Sequence, residues 1–341
     1  MNSETTLIVK KLLDSPKKIV VVGHKNPDGD AIGSCLGLYF FLKLLGHETT
    51  VIMPNDFPGF LKWMPGCDAI VIHEKKVDRS KDIISKADVI FTLDFNSLNR
   101  IGDMTVPLQR SEAKFVMIDH HQQPDDYAVA TYSDISMSST AEMVYHFIAA
   151  LDGLDLLNKS IATNLYTGIM TDTGSFRFYS TTAITHRVVA HLIENGAEGS
   201  IIHQNIYDTF SPDRMKLFGV ALKNMNILSE FNTAYISLTQ NELDENNFKK
   251  GDTEGFVNYA LAVQGIIFAV IFIENKQENI VKISFRSKGD FSVNDFARNH
   301  YNGGGHLNAA GGRSSQSLNN TISEFISILP DYKNALTNDG S

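Results

Sequence analysis

Short runs of consecutive apolar residues recur along the first half of the chain, separated by segments with helical spacing. Because these runs are continuous and do not alternate with polar residues, they are typical of strands buried on both faces of a parallel sheet. The pattern predicts strands at residues 18–23, 49–53, 69–73, 88–93 and 114–118. It predicts helices at residues 32–45, from 139 toward 151, at 159–170 and at 182–194. The alternation predicts a doubly wound α/β domain with a mainly parallel sheet.

The second half has a different pattern. Residues 200–228 are mostly helical, and Ser211 followed by Pro212 is typical of a helix start. Later strands are predicted at 233–238, 265–274 and 279–286, and helices at 254–263, 292–300 and 317–328. We therefore expect an α/β domain at 1–195, a helical connector at 196–229 and a smaller α+β domain at 230–341, with a loose tail at 338–341.

Composition narrows the classes of partner. The chain has 341 residues, of which 43% are hydrophobic and 20% charged, as in an ordinary globular protein. Acidic residues outnumber basic ones by 39 to 30, and the net charge of −9 argues against gripping long duplex nucleic acid by its backbone. The composition leaves the oligomeric state open, with a homodimer as one option.

Three features predict a protein of the cytoplasm with no membrane partner. The longest apolar run, 266–273, is much shorter than the roughly 20 residues of a membrane-spanning helix. The first residues lack the apolar run and cleavage site of a secretory signal. Two cysteines are also too few for a disulfide framework in a chain of this size.

Carboxylate and imidazole side chains follow the ends of several predicted strands. Ligands in open α/β sheets bind beyond the carboxyl ends of the strands, so these side chains are expected to converge. A single motif has a simpler explanation, since Asn-Pro-Asp-Gly at 26–29 is a good turn by itself and paired histidines are often core residues. Together they favour a metal site, and its candidate residues are His24, Asp28, Asp30, Asp94, Asp119, His120, His121 and, at the end of a predicted helix, Asp172.

The residue types indicate the metal. Carboxylates and imidazoles without a thiolate favour Mn²⁺, with Mg²⁺ or Co²⁺ as alternatives. Two divalent cations would match the four negative charges of Asp28, Asp30, Asp94 and Asp172. A pair of such ions could activate water for an in-line displacement at phosphorus. The sequence therefore predicts a two-metal hydrolytic site.

These motifs resemble the DHH phosphoesterase superfamily, named for the motif that stands here as Asp119-His120-His121. Its first motif is similar to the segment from His24 to Asp30. Its second motif is similar to the segment at Asp94, and its fourth to the segment at Asp172. The second half is similar to the DHH-associated domain in the glycine-rich segment at 303–311 and in Arg286-Ser287. The order of the motifs resembles the nanoRNase/pAp-phosphatase (NrnA-like) branch.

The resemblance implies roles in the first domain. His24, Asp28 and Asp94 would bind one metal, and His121 would lie beside the nucleophile and the scissile phosphate. Asp119 would orient the histidines. The second metal would be bound by Asp30, Asp94, His120 and Asp172.

The second domain is expected to bind substrate phosphate. Gly303, Gly304 and Gly305 would let backbone N–H groups approach an anion, and Arg286 offers a planar fork of donors. Ser287 and His306 complete this set by resemblance. Weaker candidates are Lys288, Arg100, which could equally be a surface residue, and Tyr301, which like Phe291 is more typical of a core than of a base-stacking site.

The implied activity is hydrolysis of short oligonucleotides to mononucleotides, of 3′-phosphoadenosine 5′-phosphate (pAp) to AMP and phosphate, or both. Alternatives within the superfamily are a cyclic-dinucleotide or pApA phosphodiesterase, a RecJ-like single-strand exonuclease and an inorganic pyrophosphatase. RecJ-like enzymes should carry further nucleic-acid-binding modules, for which 341 residues leave little room. The pyrophosphatases should have a different second domain, without the glycine-rich segment. A non-catalytic RNA-binding module is the alternative from another class of function. Such a module would not need the metal-ligand residues, which this sequence retains.

Overall fold

The computed structural model describes residues 1–337, and the tail predicted at 338–341 lies outside them. The chain divides into two units, Met1–Thr209 and Phe210–Ser341, so the stretch predicted as a connector supplies the end of one unit and the start of the other. Among the described residues, no helix is both long and apolar enough to span a bilayer.

The first unit is an α/β unit with eight α-helices and six strands among its described residues. Its helices are α1 Ser3–Leu12, α2 Gly29–Leu44, α3 Val77–Ser85, α4 Thr105–Gln109, α5 Thr140–Ala150, α6 Lys159–Asp172, α7 Ala183–Glu194 and α8 Gly199–Tyr207. Its strands are β1 Lys18–Val22, β2 Glu48–Met53, β3 Val71–Ile72, β4 Val89–Leu93, β5 Lys114–Asp119 and β6 Ala130–Ser133.

All six strands of this unit run parallel in the order β3-β2-β1-β4-β5-β6. The chain moves outward from β1 in one direction and then, from β4, in the other, so the switch point lies between β1 and β4. The predicted doubly wound parallel sheet is confirmed. The strand predicted at 69–73 is only two residues long, because 3₁₀ turns at Cys67–Ala69 and His73–Lys75 flank it.

Alternate residues of the strands build two cores. In β1, Ile19 and Val21 face the helical layer of α2, α5 and α6, whereas Val20 and Val22 face the side of α3 and α4. The protein's single tryptophan, Trp63, is half-buried against the first of these cores. Both faces of the sheet are covered, which is why its strands are continuous apolar runs in the sequence.

Helices α2 and α6 pack unusually closely. A Cβ on Gly33 of α2 would lie 2.5 Å from the carbonyl oxygen of Asn164 and 2.9 Å from the amide nitrogen of Gly168, both in α6. A Cβ on Gly168 would lie 2.5 Å from the Cβ of Ala141 in α5. The small residues thus let three helix backbones meet next to Asp30, which lies in the first turn of α2.

Gly33→Ala should destabilise the protein because the added methyl group meets backbone atoms that cannot rotate away. We expect the free energy of unfolding to fall by about 1–3 kcal/mol, the usual cost of overpacking. Gly219→Ala is the matched control, since Gly219 lies within helix α9 (Pro212–Lys223) with open space around its Cβ position. That change should stabilise the protein by about 0.5–1 kcal/mol. Urea denaturation measures both, and equal effects would contradict the close packing of α2 and α6.

The second unit contains a six-stranded mixed sheet in the order β11-β12-β10-β9-β8-β7, in which only β8 and β9 pair in parallel. Its strands are β7 Asn226–Leu228, β8 Thr233–Leu238, β9 Phe268–Asn275, β10 Ile280–Ser287, β11 Gly304–Gly305 and β12 Ala309–Ser314. Its helices are α9 Pro212–Lys223, α10 Gln240–Glu245, α11 Phe256–Leu261, α12 Val293–His300, α13 Leu318–Ile328 and α14 Lys333–Thr337. This is the smaller α+β architecture predicted from the sequence.

An aromatic core fills one face of the second sheet. Phe268, Phe285 and Phe296 contact one another with ring centroids 5.1–6.2 Å apart. Tyr301 and Phe291 are buried in the same cluster. Both side chains therefore lie in the core, the role that the sequence favours for them, and contact of Tyr301 with substrate stays a prediction.

Candidate metal centre

His24 follows β1 in a loop that is fixed by two sets of hydrogen bonds. The side chain of Asn55 accepts from the amide of Asn26 at 2.7 Å and donates to its side-chain oxygen at 2.9 Å. The amide of Lys25 donates to the carbonyl of Arg100 at 2.9 Å. Arg100 therefore supports the loop through its backbone. Nδ1 of His24 donates to the carbonyl oxygen of Lys25 at 2.9 Å. Because Nδ1 carries the proton, Nε2 is the nitrogen that remains to bind a metal.

Asp28 ends the same loop and caps helix α2. Its Oδ1 accepts from the amides of Asp30 and Ala31, each at 3.0 Å. The helix therefore begins at Gly29, three residues before the predicted start, because the Asp28 carboxylate satisfies its first amides. Oδ1 also lies 3.9 Å from Nε2 of His24.

Asp30 is buried at the first turn of α2 and receives two amides from the start of α5. The amide of Thr140 donates to Oδ2 at 2.7 Å, and the amide of Ala141 donates to Oδ1 at 2.8 Å. Positive ends of helix dipoles favour a carboxylate at such a position. The orientation of Asp30 is therefore set by two helices at once.

Asp94 follows β4 in the left-handed backbone region, with φ of +64°. Aspartate tolerates this region better than most side chains. Its Oδ2 lies 3.3 Å from Nε2 of His24, and its Oδ1 lies 3.7 Å from Nε2 of His120. The two oxygens of one carboxylate thus face two different histidines.

His120 follows β5 and faces three carboxylates. Its Nε2 lies 3.5 Å from Asp172 and 3.8 Å from Asp30, in addition to Asp94. Its Nδ1 lies 3.2 Å from the carbonyl of Met137, which orients the ring. Asp172 ends α6, so that helix brings its carboxylate to the carboxyl end of the sheet.

Asp119 orients His121 through two contacts. Its Oδ1 lies 2.7 Å from Nδ1 of His121, and its Oδ2 accepts from the amide of His121 at 2.9 Å. For His120 the carbonyl of Met137 contacts Nδ1, and the expectation that Asp119 also orients this ring stays a prediction. Asp119 itself is fully buried.

The carboxylates carry more negative charge than so buried a place readily holds. Burial raises the pKa of Asp30 well above its usual range, and the charges of Asp94 and Asp172 raise it further. Burial would lower the pKa of His24, but hydrogen bonds to Asp28 and Asp94 outweigh it and raise that pKa to about 10. Burial likewise opposes the charges of Asp172 and Asp94 at His120, whose pKa is raised. A cation at this place would relieve the repulsion among the carboxylates.

Among the groups of side chains whose ligand atoms could hold a metal ion, two match the predicted ligand sets. The atoms of His24, Asp28 and Asp94 lie within 4.8 Å of one another. Those of Asp30, His120 and Asp172 do as well. Asp94 faces both groups, and the donors are the oxygens and imidazole nitrogens that Mn²⁺ and Mg²⁺ accept. The residues present therefore fit a pair of divalent cations.

In the second unit, Ser287 and Lys288 at the end of β10 are held by the protein itself. The hydroxyl of Ser287 donates to the carbonyl of Phe291 at 2.6 Å and accepts from Asn308 at 2.9 Å. Lys288 donates to the carbonyl of Ile266 at 2.9 Å. These contacts give Ser287 and Lys288 structural roles.

The glycine-rich segment lies beside Arg286, because the strand register pairs Arg286 with Ala309. Cβ atoms on Gly303 and Gly305 would lie 2.0 Å from the carbonyl of Gly311 and 2.3 Å from that of Ala309. These two glycines were expected to let backbone N–H groups approach an anion. The structure gives a different reason, because the close packing of the strands leaves no room for a Cβ. Their amides donate to the carbonyl of Ala297 and the side chain of Asn294. A Cβ on Gly304 would meet no atom closer than 3.5 Å. The amide of His306 donates to the carbonyl of Ala309 at 2.7 Å.

Sequence reasoning missed Thr140, Ala141 and Asn55, which hold the ligands in place. In the sequence, Thr140 and Ala141 are marked only as part of the helix predicted from residue 139. The sequence from Ser139 to Glu142 has the residue types of a capping box, but only half of it forms: Ser139 accepts from the amide of Glu142, whereas the Glu142 side chain bonds Ser138 and Thr185. Contacts across 110 residues, such as Thr140 with Asp30, leave no local signal in a sequence.

Known proteins similar to this chain share both halves of it. The family model described as "DHH family, N-terminal domain" matches residues 18–169, and the one described as "DHHA1 domain" matches 232–332. "Bifunctional oligoribonuclease and PAP phosphatase NrnA" of Thermus thermophilus is 32% identical over 89% of this chain and 85% of its own length. The protein of that name in Bacillus subtilis is 30% identical over 86% and 88%. The solved structure of an exopolyphosphatase-related protein from Bacteroides fragilis superposes with a TM-score of 0.94 at 38% identity, covering 98% of each chain.

Proposed function

The chain belongs to the DHH family, and we propose that it is a metal-dependent phosphoesterase acting on short substrates. Its substrates would be short oligoribonucleotides, hydrolysed to mononucleotides, and pAp, hydrolysed to AMP and phosphate. The names of the two relatives above describe both activities. We place the protein in the cytoplasm, where thiols stay reduced, since Cys35 and Cys67 are free.

The observation that carries the proposal is the position of Asp94 between two ligand groups. One oxygen of its carboxylate faces His24 of the first group, and the other faces His120 of the second. We propose that His24 and Asp28 hold one divalent cation with Asp94. Asp30, His120 and Asp172 would hold a second with it. Mn²⁺ is the proposed ion, with Mg²⁺ or Co²⁺ as alternatives. Such ions lower the pKa of water and neutralise charge that develops at phosphorus.

Other groups of the protein have further proposed roles in each unit. Asp119 holds His121 by two contacts, at 2.7 and 2.9 Å. With Nδ1 engaged, Nε2 of His121 is the atom that would exchange a proton with the leaving oxygen. Arg286 is proposed to bind a terminal phosphate through its fork of donors, and His306 to add a further donor. Recognition of an end in this way would favour short substrates.

A hydrolysis panel tests the proposal. It compares pAp, pApA, short RNA, short DNA, long RNA, cyclic di-AMP and pyrophosphate, each with Mn²⁺ and with a chelator. We expect the highest kcat/KM for short RNA or pAp, with activity lost in chelator and restored by Mn²⁺. A preference for pyrophosphate, long RNA or cyclic di-AMP would overturn the substrate assignment. Chelator-insensitive RNA binding without hydrolysis would establish the non-catalytic module.

A further inference from the structure

We propose that Thr140 is a positioning residue that sets the placement of Asp30 relative to Asp94 and thereby the affinity for divalent cations. The inference rests on the proposed metal centre. Thr140 is fully buried at the first position of α5. Its amide donates to Asp30 at 2.7 Å, and its hydroxyl donates to Asp94 at 3.1 Å. One residue therefore connects a carboxylate of the second ligand group with the carboxylate that faces both groups.

The two contacts of Thr140 act on groups that repel one another. Asp30 and Asp94 are both buried carboxylates, and their oxygens lie 3.8 and 3.7 Å from the same nitrogen, Nε2 of His120. Donors fixed between such carboxylates offset part of that repulsion and hold the oxygens at a set separation. Because a metal ion requires its ligand oxygens at defined positions, a preformed separation lowers the cost of binding.

Helix α5 is itself held firmly enough to serve as the reference. Glu142, in the first turn of α5, is fully buried and accepts from the hydroxyls of Ser138 and Thr185, the latter at 3.0 Å. Ser138 precedes the helix, and Thr185 lies in the first turn of α7. The hydroxyl of Ser139 already serves as the helix cap. The Thr140 hydroxyl is thus the side-chain group of this segment directed at Asp94.

Substitution separates the hydroxyl from the amide, which every variant keeps. Thr140→Val replaces the hydroxyl by a methyl group of similar size, whereas Thr140→Ser retains it. Thr167→Val is the matched control: Thr167 is also fully buried in a helix, but its hydroxyl donates to the carbonyl of Thr163 at 2.7 Å.

Mn²⁺ titration of the whole protein without substrate, followed by the electron paramagnetic resonance of free Mn²⁺, is the test. We expect Thr140→Val to weaken Mn²⁺ binding by about 10- to 100-fold, the usual cost of losing a group that orients a metal ligand. Thr140→Ser and Thr167→Val should bind as the wild type does. Thermal unfolding in chelator confirms that each variant is folded.

Wild-type affinity in Thr140→Val would overturn the role of Thr140 while leaving the metal centre intact. No Mn²⁺ binding by the wild type would instead contradict the proposed function. If Thr140→Val does not fold, Thr140→Ala takes its place, because alanine removes the hydroxyl without placing a methyl group against Asp94. Equal affinity of the Ala and Ser variants would then overturn the inference.

Discussion

Asp94→Asn should lower kcat/KM by about 10³-fold or more, because it removes the negative charge that faces both ligand groups. A loss of that size corresponds to about 4 kcal/mol of transition-state stabilisation, in the range expected for metal-ion catalysis. Asparagine has nearly the same shape and also tolerates the left-handed backbone at this position, so the fold is retained. Steady-state kinetics at saturating Mn²⁺ measure the effect.

Asp88→Asn provides the control from the other end of the same strand. Asp88 precedes β4 and its carboxylate accepts from the amide of Lys18 at 2.7 Å, away from the ligand groups. We expect wild-type turnover in this variant. A tenth or more of wild-type kcat/KM in Asp94→Asn would refute the shared-ligand role of Asp94.

Asp119→Asn should reduce kcat by about 10²- to 10³-fold, since an amide cannot accept at both of its ends. One of the two contacts to His121 must then be lost, and the ring loses its fixed orientation. We expect kcat to fall far more than Mn²⁺ affinity, because the nearest partner of Asp119 is His121. Parallel kinetics and Mn²⁺ titration measure the two effects.

Asp134→Asn is matched to this change by its hydrogen bonding. Like Asp119, Asp134 accepts from the amide two residues further along, that of Ser136 at 3.0 Å, but it lies at the surface. Its substitution should leave kcat unchanged. If the Asp119 and Asp134 variants had the same kcat, His121 would not depend on Asp119 for its function.

The sequence was sufficient to predict the first sheet and to bring together the proposed ligands that follow its strands. Buried parallel strands are continuous apolar runs, and their carboxyl ends meet at one edge, so the residues after β1, β4 and β5 had to converge. Asp172 was predicted by residue type and resemblance alone. The close approach of α2 and α6 at Gly33 brings their ends together.

What could not be predicted depends on contacts between distant residues. Asn55 supports the loop of Asn26 from the end of β2, and Thr140 supports Asp30 from the start of α5. Asparagine and threonine at such places are also common in turns and helix caps, so their type carries no special signal. The reason for Gly303 and Gly305 was likewise hidden, since only the neighbouring strand shows why a Cβ is excluded there.

The single tryptophan gives the molecule a natural spectroscopic label. Trp63 packs against the core of the unit that also carries all six proposed metal ligands, whereas the second unit contains tyrosines but no tryptophan. Tryptophan emission of the unmodified chain therefore reports on the folding of the unit with the metal centre and not on that of the other unit. Backbone circular dichroism follows both units, so a comparison of the two signals resolves their unfolding without any introduced dye.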